Sequence, residues 1–349
     1  MSGKLYLRPV GIVWGETAIE ALAQQMALPL AGGPASCLAF ELIEGTPGKS
    51  ARRIMSARDA AASSDTGIRA LLARITTPRA AIAGLELQRP LIMGIVNVTP
   101  DSFSDGGDFG TQQSAIAHAL RLSSEGADIV DIGGESTRPG APPVDEAEEM
   151  RRALPVIGGL RDLGKPISID TRKPRIMEMA VQGGAAIIND VSALCHDPRS
   201  AGMAAGLGRP VILMHAQGDP RTMQDNPFYD DVLLEVYDFL EGRLAAAEAA
   251  GVPPGMLIAD PGIGFGKTVA HNLALIAGIS LFHGLGAPLL LGASRKRFIG
   301  SITGESDPKQ RVPGSIGVAL AGIAQGVQML RVHDVAPTRQ ALDCWLASR

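Results

Sequence analysis

Between residues 90 and 334, eight short apolar runs each end at, or just before, a polar side chain. These are Asn97, Asp131, Asp170, Asn189, His215, Asp260, Ser294 with Lys296, and Arg331 with His333. Asp170, Asn189 and Asp260 form an acceptor-rich group, and two carboxylates with an amide suit a flat heterocycle carrying amino and ring N–H groups. Arg331, His333, Asn97 and the stretch Ser136, Thr137, Arg138 form a donor-rich group. An arginine fork beside a histidine and hydroxyls suits phosphate oxygens, the more so when a divalent cation shares the charge. One such residue is explained as the cap of a following helix. Eight at the same place in a repeated pattern imply convergence on one site.

The runs that must position them are Leu91–Val98, Ala127–Gly133, Pro166–Asp170, Ala186–Val191, Pro210–His215, Leu257–Asp260, Pro288–Ala293 and Met329–His333. Near-continuous apolar runs mark parallel strands covered on both faces. Helix-period segments lie between them, among them Gln113–Glu125, Asp145–Leu163, Asp230–Ala250 and His271–Phe282, with Asp145 and Glu148 spaced as a capping box. Eight strand–helix units over about 260 residues match a (β/α)8 TIM barrel. An open doubly wound sheet alternates in the same way, but the count of eight favours closure. In both folds ligands bind at the carboxyl ends of the strands. Residues 88–349 are therefore expected to form the barrel and residues 1–87 an N-terminal α/β extension of unknown role. In the extension, strands are expected in Lys4–Val13 and Cys37–Glu44, helices in Glu16–Ala27 and Ile68–Ile75, and a connector from Ser50 to Gly67.

Composition removes several classes. The 349 residues carry 32 basic against 36 acidic side chains, without the basic surplus of a nucleic-acid binder. Cys37, Cys195 and Cys344 are odd in number and far apart, which gives no disulfide framework and suits a reducing cytoplasm. The N-terminus shows no apolar leader segment. The most apolar stretch, Val312–Leu330, is interrupted by Pro313, Gln325 and Gln328 and reads as a packed helix rather than a membrane span. Residues 262–268 imitate a phosphate-binding P-loop but place Pro261 where its first glycine belongs. No glycine group completes a dinucleotide fingerprint and no histidine pair has zincin spacing. His118, His196, His271 and His283 read as surface residues.

The stretches MGIVNVTPDSFSDGG (93–107), VDIGGESTRPGA (130–141), ISIDTRKP (167–174), IINDVS (187–192), LMHAQGDPRTMQ (213–224), ADPGIGFGKT (259–268), GASRKRFIG (292–300) and RVHD (331–334) closely resemble the dihydropteroate synthase family, in family order. The resemblance implies a pterin-binding TIM barrel that joins p-aminobenzoate to a dihydropterin methyl pyrophosphate in folate biosynthesis, releasing pyrophosphate. It implies that Asp170, Asn189, Asp260, Lys296, Met214 and Phe265 hold the pterin. Asn97, Thr137, Arg138, Arg331 and His333 would hold the pyrophosphate, with Asn97 also a ligand of Mg2+. Ser294, Lys296, Phe265 and Arg138 would border p-aminobenzoate, and Asp170, Asp260 and Lys296 would carry catalysis. A homodimer through late barrel helices is implied as well. Ala216 and Arg297 depart from the common pattern on the p-aminobenzoate side. The rivals are a pterin-binding methyltransferase barrel, which has no use for an anion group, and a catalytically silent paralogue, which would be expected to lack a charged site residue.

Overall fold

The computed structural model describes residues 3–98, 107–136, 141–218 and 222–349. The extension folds as a four-stranded antiparallel sheet with three helices: β1 (Lys4–Trp14), α1 (Gly15–Ala23), β2 (Leu28–Pro29), β3 (Ala35–Thr46), β4 (Lys49–Ser56), α2 (Ala57–Ala61) and α3 (Thr66–Thr76). β3 is the spine, paired with β1 on one side and with β2 and β4 on the other. Leu7, Phe40, Leu42 and Met55 meet Ile68, Leu72 and Ile75 in a small core of their own. The polar or weakly helical connector expected from Ser50 to Gly67 is corrected in its first part, where β4 runs to Ser56, while the short helix α2 follows it. β4 is an edge strand with one buried residue, Met55, so it lacks the alternation that betrays a strand.

The barrel strands are β5 (Leu91–Asn97), β6 (Ile129–Gly133), β7 (Ile167–Asp170), β8 (Ile187–Asp190), β9 (Val211–Met214), β10 (Leu257–Asp260), β11 (Leu290–Leu291) and β12 (Met329–Val332). They run parallel in the order β10-β9-β8-β7-β6-β5-β12-β11, and a bridge between Ala259 and Leu289 joins the two ends. The expected closed barrel is therefore the fold. Helices α4 (Gly107–Ser124), α5 (Glu146–Gly159), α6 (Pro174–Gly183), α7 (Ser200–Leu207), α8 (Val232–Ala249), α9 (Val269–Ala277), α10 (Arg297–Thr303), α11 (Val312–Ile323) and α12 (Val335–Ala347) surround it. Asp145 caps α5 through Glu148 N, but the Glu148 carboxylate pairs with Arg151 and Arg152 instead of closing a capping box.

Side chains two residues apart on a strand share a face, and this rule builds the barrel interior in layers. Leu91, Met93, Ile129, Ile187, Ile212, Ile258, Leu290 and Met329 form an apolar layer, stoppered below by Ile82 and Leu87. Two residues further along β6, β8, β10 and β12 stand Asp131, Asn189, Asp260 and Arg331. The apolar layer is thus the dry floor under a polar one.

The extension docks on the outer helices. Tyr6 donates to Asp238 of α8 and lies edge-on to Tyr237, with ring centroids 5.3 Å apart. Trp14 meets Trp345 edge-on at 5.0 Å and donates to Ala324 O. Ser280 donates to Pro9 O. His283, expected at the surface, is fully buried here, and burial pushes its imidazole down to about 3. It sits where Arg79, at the end of the extension, donates to the His283 carbonyl, while its own ring contacts Gln325 O.

Candidate active site

The polar layer is organised by one arginine. Arg331, near the end of β12, donates from Nε to Asp131 Oδ2 (2.6 Å) and from Nη2 to Asp170 Oδ2 (2.8 Å). Asn189 Nδ2 donates to the same Asp131 oxygen at 3.1 Å. Asp131 is fully buried and its Oδ1 has no partner. Two carboxylates therefore share one guanidinium, and the second negative charge raises the cost of ionising the cluster. The Asp170 carboxyl is pushed up to about 7, chiefly by burial; Arg331 pulls against this, while Asp131, Glu149 and Asp190 add to it. Arg331 itself is lowered by burial but raised on balance by Asp131 and Asp170.

Asp260, at the end of β10, is fixed by Gly262 N–H, which donates to Oδ1 at 2.7 Å. Burial raises its carboxyl, and Lys296 opposes that. The loop that follows, Pro261–Thr268, turns back over the end of β9. Gly262 has φ +66°, and a Cβ there would lie 1.8 Å from His215 O, so no other residue fits without moving the backbone. Lys296 enters from the opposite side, with its ammonium on Ile263 O and 4.4 Å from the centroid of the Phe265 ring. Enclosure pushes that ammonium down to about 7, with Asp260 holding it up and Arg331 lowering it further. Met214, the inward residue at the end of β9, is buried close to Gly262.

On the other side of the mouth, Ser294 Oγ accepts from His333 N at 3.2 Å and lies 3.0 Å from His333 Nδ1. Arg295 anchors this turn through a fork onto Asp334, at 2.8 and 2.5 Å. Asn97 ends β5 beside Gly133, its Oδ1 turned toward the Asp170 side of the layer. Behind Asp170 lies a buried ion network, in which Lys173 reaches Glu149 and Glu135 while Thr171 donates to Glu149.

The structure thus brings Asn97, Asp170, Asn189, Met214, Asp260, Phe265, Ser294, Lys296, Arg331 and His333 to the carboxyl-terminal end of the barrel, on or just after its strands. Thr137 and Arg138 lie outside the described residues. Two expectations change. The acceptor and donor groups are not separate, because Arg331 binds both Asp131 and Asp170. His215 does not point into the mouth but packs outward, edge-on to Phe239 of α8 at 4.8 Å. Two residues escaped assignment from the sequence. Asp131 was legible, since it follows Ile129 by two just as Asp260 follows Ile258. Lys267 was not: nothing in its neighbours shows that its ammonium is buried against His215 and the loop carbonyls.

Residues 93–333 match the family described as pterin binding enzyme. Among curated relatives, the dihydropteroate synthase of Neisseria meningitidis serogroup B is 50% identical over 266 residues, covering 75% of this chain and 93% of the relative. The chain belongs to the dihydropteroate synthase family.

The Escherichia coli dihydropteroate synthase is 44% identical over 259 residues, covering 74% of this chain and 91% of the relative. Among solved structures, a Xanthomonas albilineans dihydropteroate synthase with 4-aminobenzoic acid superposes with a TM-score of 0.73 at 51% identity, covering 78% of this chain and 98% of that one. A second structure of that organism's enzyme, in complex with 7,8-dihydropteroate, gives 0.71 at 48% with the same coverage. The family match begins at Met93, so the extension lies outside what defines a dihydropteroate synthase.

Proposed function

We propose that this protein condenses p-aminobenzoate with 6-hydroxymethyl-7,8-dihydropterin pyrophosphate, forming the C–N bond of 7,8-dihydropteroate and releasing pyrophosphate. The observation that carries this is the Asp131–Arg331–Asp170 cluster in a barrel whose relatives are named dihydropteroate synthases. Asp170, Asn189 and Asp260 supply acceptors for the amino and ring N–H groups of the pterin, with Met214 and Phe265 beside its plane. Arg331, His333 and Asn97, joined by Thr137 and Arg138, face the pyrophosphate. Ser294, Lys296, Phe265 and Arg138 border p-aminobenzoate. When the methylene–oxygen bond ionises, positive charge grows on the pterin side and negative charge on the leaving group. In this reading Asp170 and Asp260 stabilise the first, and Arg331 and His333 the second.

Among the described residues no cluster of three or more His, Cys, Asp or Glu could hold a metal. Mg2+ is bound through one or two protein ligands and completes its shell with phosphate oxygens and water, so the donor set expected for it is small. Asn97 would hold the ion against the pyrophosphate, where it would neutralise leaving-group charge.

We also read the enzyme as a cytoplasmic homodimer with residues 1–87 as a separate unit. Three free cysteines, the exposed apolar Val269, Leu273 and Ile302 on late barrel helices, and the extension's own core support this. No described helix is long and apolar enough to cross a membrane.

The test is to incubate the protein with both substrates and Mg2+ and follow pyrophosphate release and dihydropteroate formation. Pterin binding without release would sink the synthase reading in favour of a silent paralogue.

A further inference from the structure

Lys267 is 3% exposed, and none of the described carboxylates lies within ion-pair distance of it. Its ammonium is held by His215 Nδ1 at 2.8 Å, Gly262 O at 2.8 Å and Phe265 O at 3.0 Å, with His215 O further off at 3.4 Å. A buried ammonium without a counter-charge is costly unless each proton finds an acceptor. Three protons and three close acceptors meet that condition. The acceptors are placed with purpose: Gly262 O and Phe265 O flank the segment Ile263–Phe265, and His215 belongs to the end of β9. The flanked segment is the one that touches the site, because Ile263 O receives the Lys296 ammonium and the Phe265 ring lies beneath it. Gln224 Nε2 on Gly264 O (2.6 Å) and Asn272 Oδ1 on Gly264 N (2.7 Å) hold only the segment's middle.

We propose that Lys267 is a positioning residue for the amine-substrate side of the site, fixing Ile263 and Phe265 through two backbone carbonyls and His215 Nδ1, and through them the Lys296 ammonium. This rests on the reading of Lys296 and Phe265 as p-aminobenzoate contacts. It has a second consequence. Because the ammonium donates to Nδ1, the His215 ring is neutral with its proton on Nε2.

The test uses Lys267→Met, which keeps an unbranched chain and removes the donors, with steady-state kinetics for both substrates and 15N spectra of the histidine rings. The variant loses all three hydrogen bonds, and since one charge-assisted bond alone corresponds to about tenfold, the KM for p-aminobenzoate is expected to rise about tenfold or more, with the KM for the pterin pyrophosphate little changed. In the wild type the His215 ring is held in the Nε2–H form, whereas in the variant Nδ1 loses its donor and the 15N shifts of the ring, kept neutral by burial, change. A folded Lys267→Met enzyme with the wild-type KM for p-aminobenzoate overturns the inference, and so does a His215 spectrum identical to wild type. Should that variant not fold, His215→Asn and His215→Leu decide. Asparagine keeps an acceptor near the Nδ1 position and is expected to keep the KM, leucine to raise it; equal values in the two overturn the inference. Wild-type protein that makes no dihydropteroate overturns the synthase reading instead, a different failure from an active enzyme indifferent to Lys267.

Discussion

Arg331 Nη2 lies 2.8 Å from Asp170 Oδ2, and this bond joins the end of β12 to the end of β7 across the barrel mouth. With Nε on Asp131, one edge of the guanidinium is engaged by two carboxylates before any substrate arrives. In the proposed binding mode a pyrophosphate meets the remaining guanidinium N–H groups, and a pterin that donates to Asp170 loosens one arm of the fork. In that mode the two ends of the substrate are coupled through one side chain.

Arg331→Ala leaves Asp131 and Asp170 buried without their shared cation, which should destabilise the fold by about 3–5 kcal/mol. It should also raise the KM for the pterin pyrophosphate and weaken inhibition by pyrophosphate. Arg331→Lys restores charge but not the fork, so it should recover stability better than affinity. An unchanged KM for the pyrophosphate substrate in Arg331→Ala would remove this residue from the anion site.

The Asp170 carboxyl, ordinarily near 3.8, titrates at about 7 in the folded chain. The folded state then binds this proton more tightly than the unfolded one. Stability from this group is full below about pH 4 and is lost as pH rises through 7. Asp170→Asn, neutral at every pH, should be more stable than wild type at pH 8, by up to a few kcal/mol, with the difference vanishing near pH 4. Turnover should fall severely at both. Thermal melts that differ equally at the two pH values would show that Asp170 is ionised throughout.

Lys296→Ala removes the charged donor proposed to face both substrates, and loss of one preorganised donor typically costs about 10²–10³ in kcat. In the wild type the Lys296 ammonium, pushed down to about 7, loses its proton as the solution turns alkaline, while Asp170 gains one as it turns acid. The kcat/KM profile should therefore peak near neutrality and fall on both sides. Wild-type-like kinetics for Lys296→Ala would show that this lysine has been given the wrong role.

The extension is fastened by buried contacts, so its loss should be felt by the barrel. Tyr6→Phe deletes the bond to Asp238 and should cost about 1 kcal/mol. Removing residues 1–87 uncovers the Tyr237 and Phe282 side of the outer helices, and a lower melting temperature with increased aggregation is expected. Unchanged melting and activity would show that the extension only rests on the barrel.

Much of this was legible beforehand because burial on both faces leaves a plain mark on a chain. Ile129 before Asp131, Ile187 before Asn189 and Ile258 before Asp260 record a dry floor and a polar layer, whatever the rest of the fold does. Where burial is one-sided or absent the mark fades. β4, with Arg52 and Arg53 exposed, reads as a connector. His283 reads as a surface residue because what covers it, Arg79 at the end of the extension and Gln325 far along the chain, is distant in sequence.

The eightfold strand–helix repeat, the carboxyl-terminal place of the site and most of its side chains were determined by the sequence alone, since the count of eight favours closure and in either α/β fold ligands bind at the carboxyl ends of the strands. The partners of those side chains were decided by the tertiary structure. Arg331 finds Asp131 and Asp170 from 200 and 161 residues away, and Lys267 finds His215 from 52. Only closure of the barrel sets such distances, and at hydrogen-bond range they fix which charges are shared, which are buried and where each proton resides.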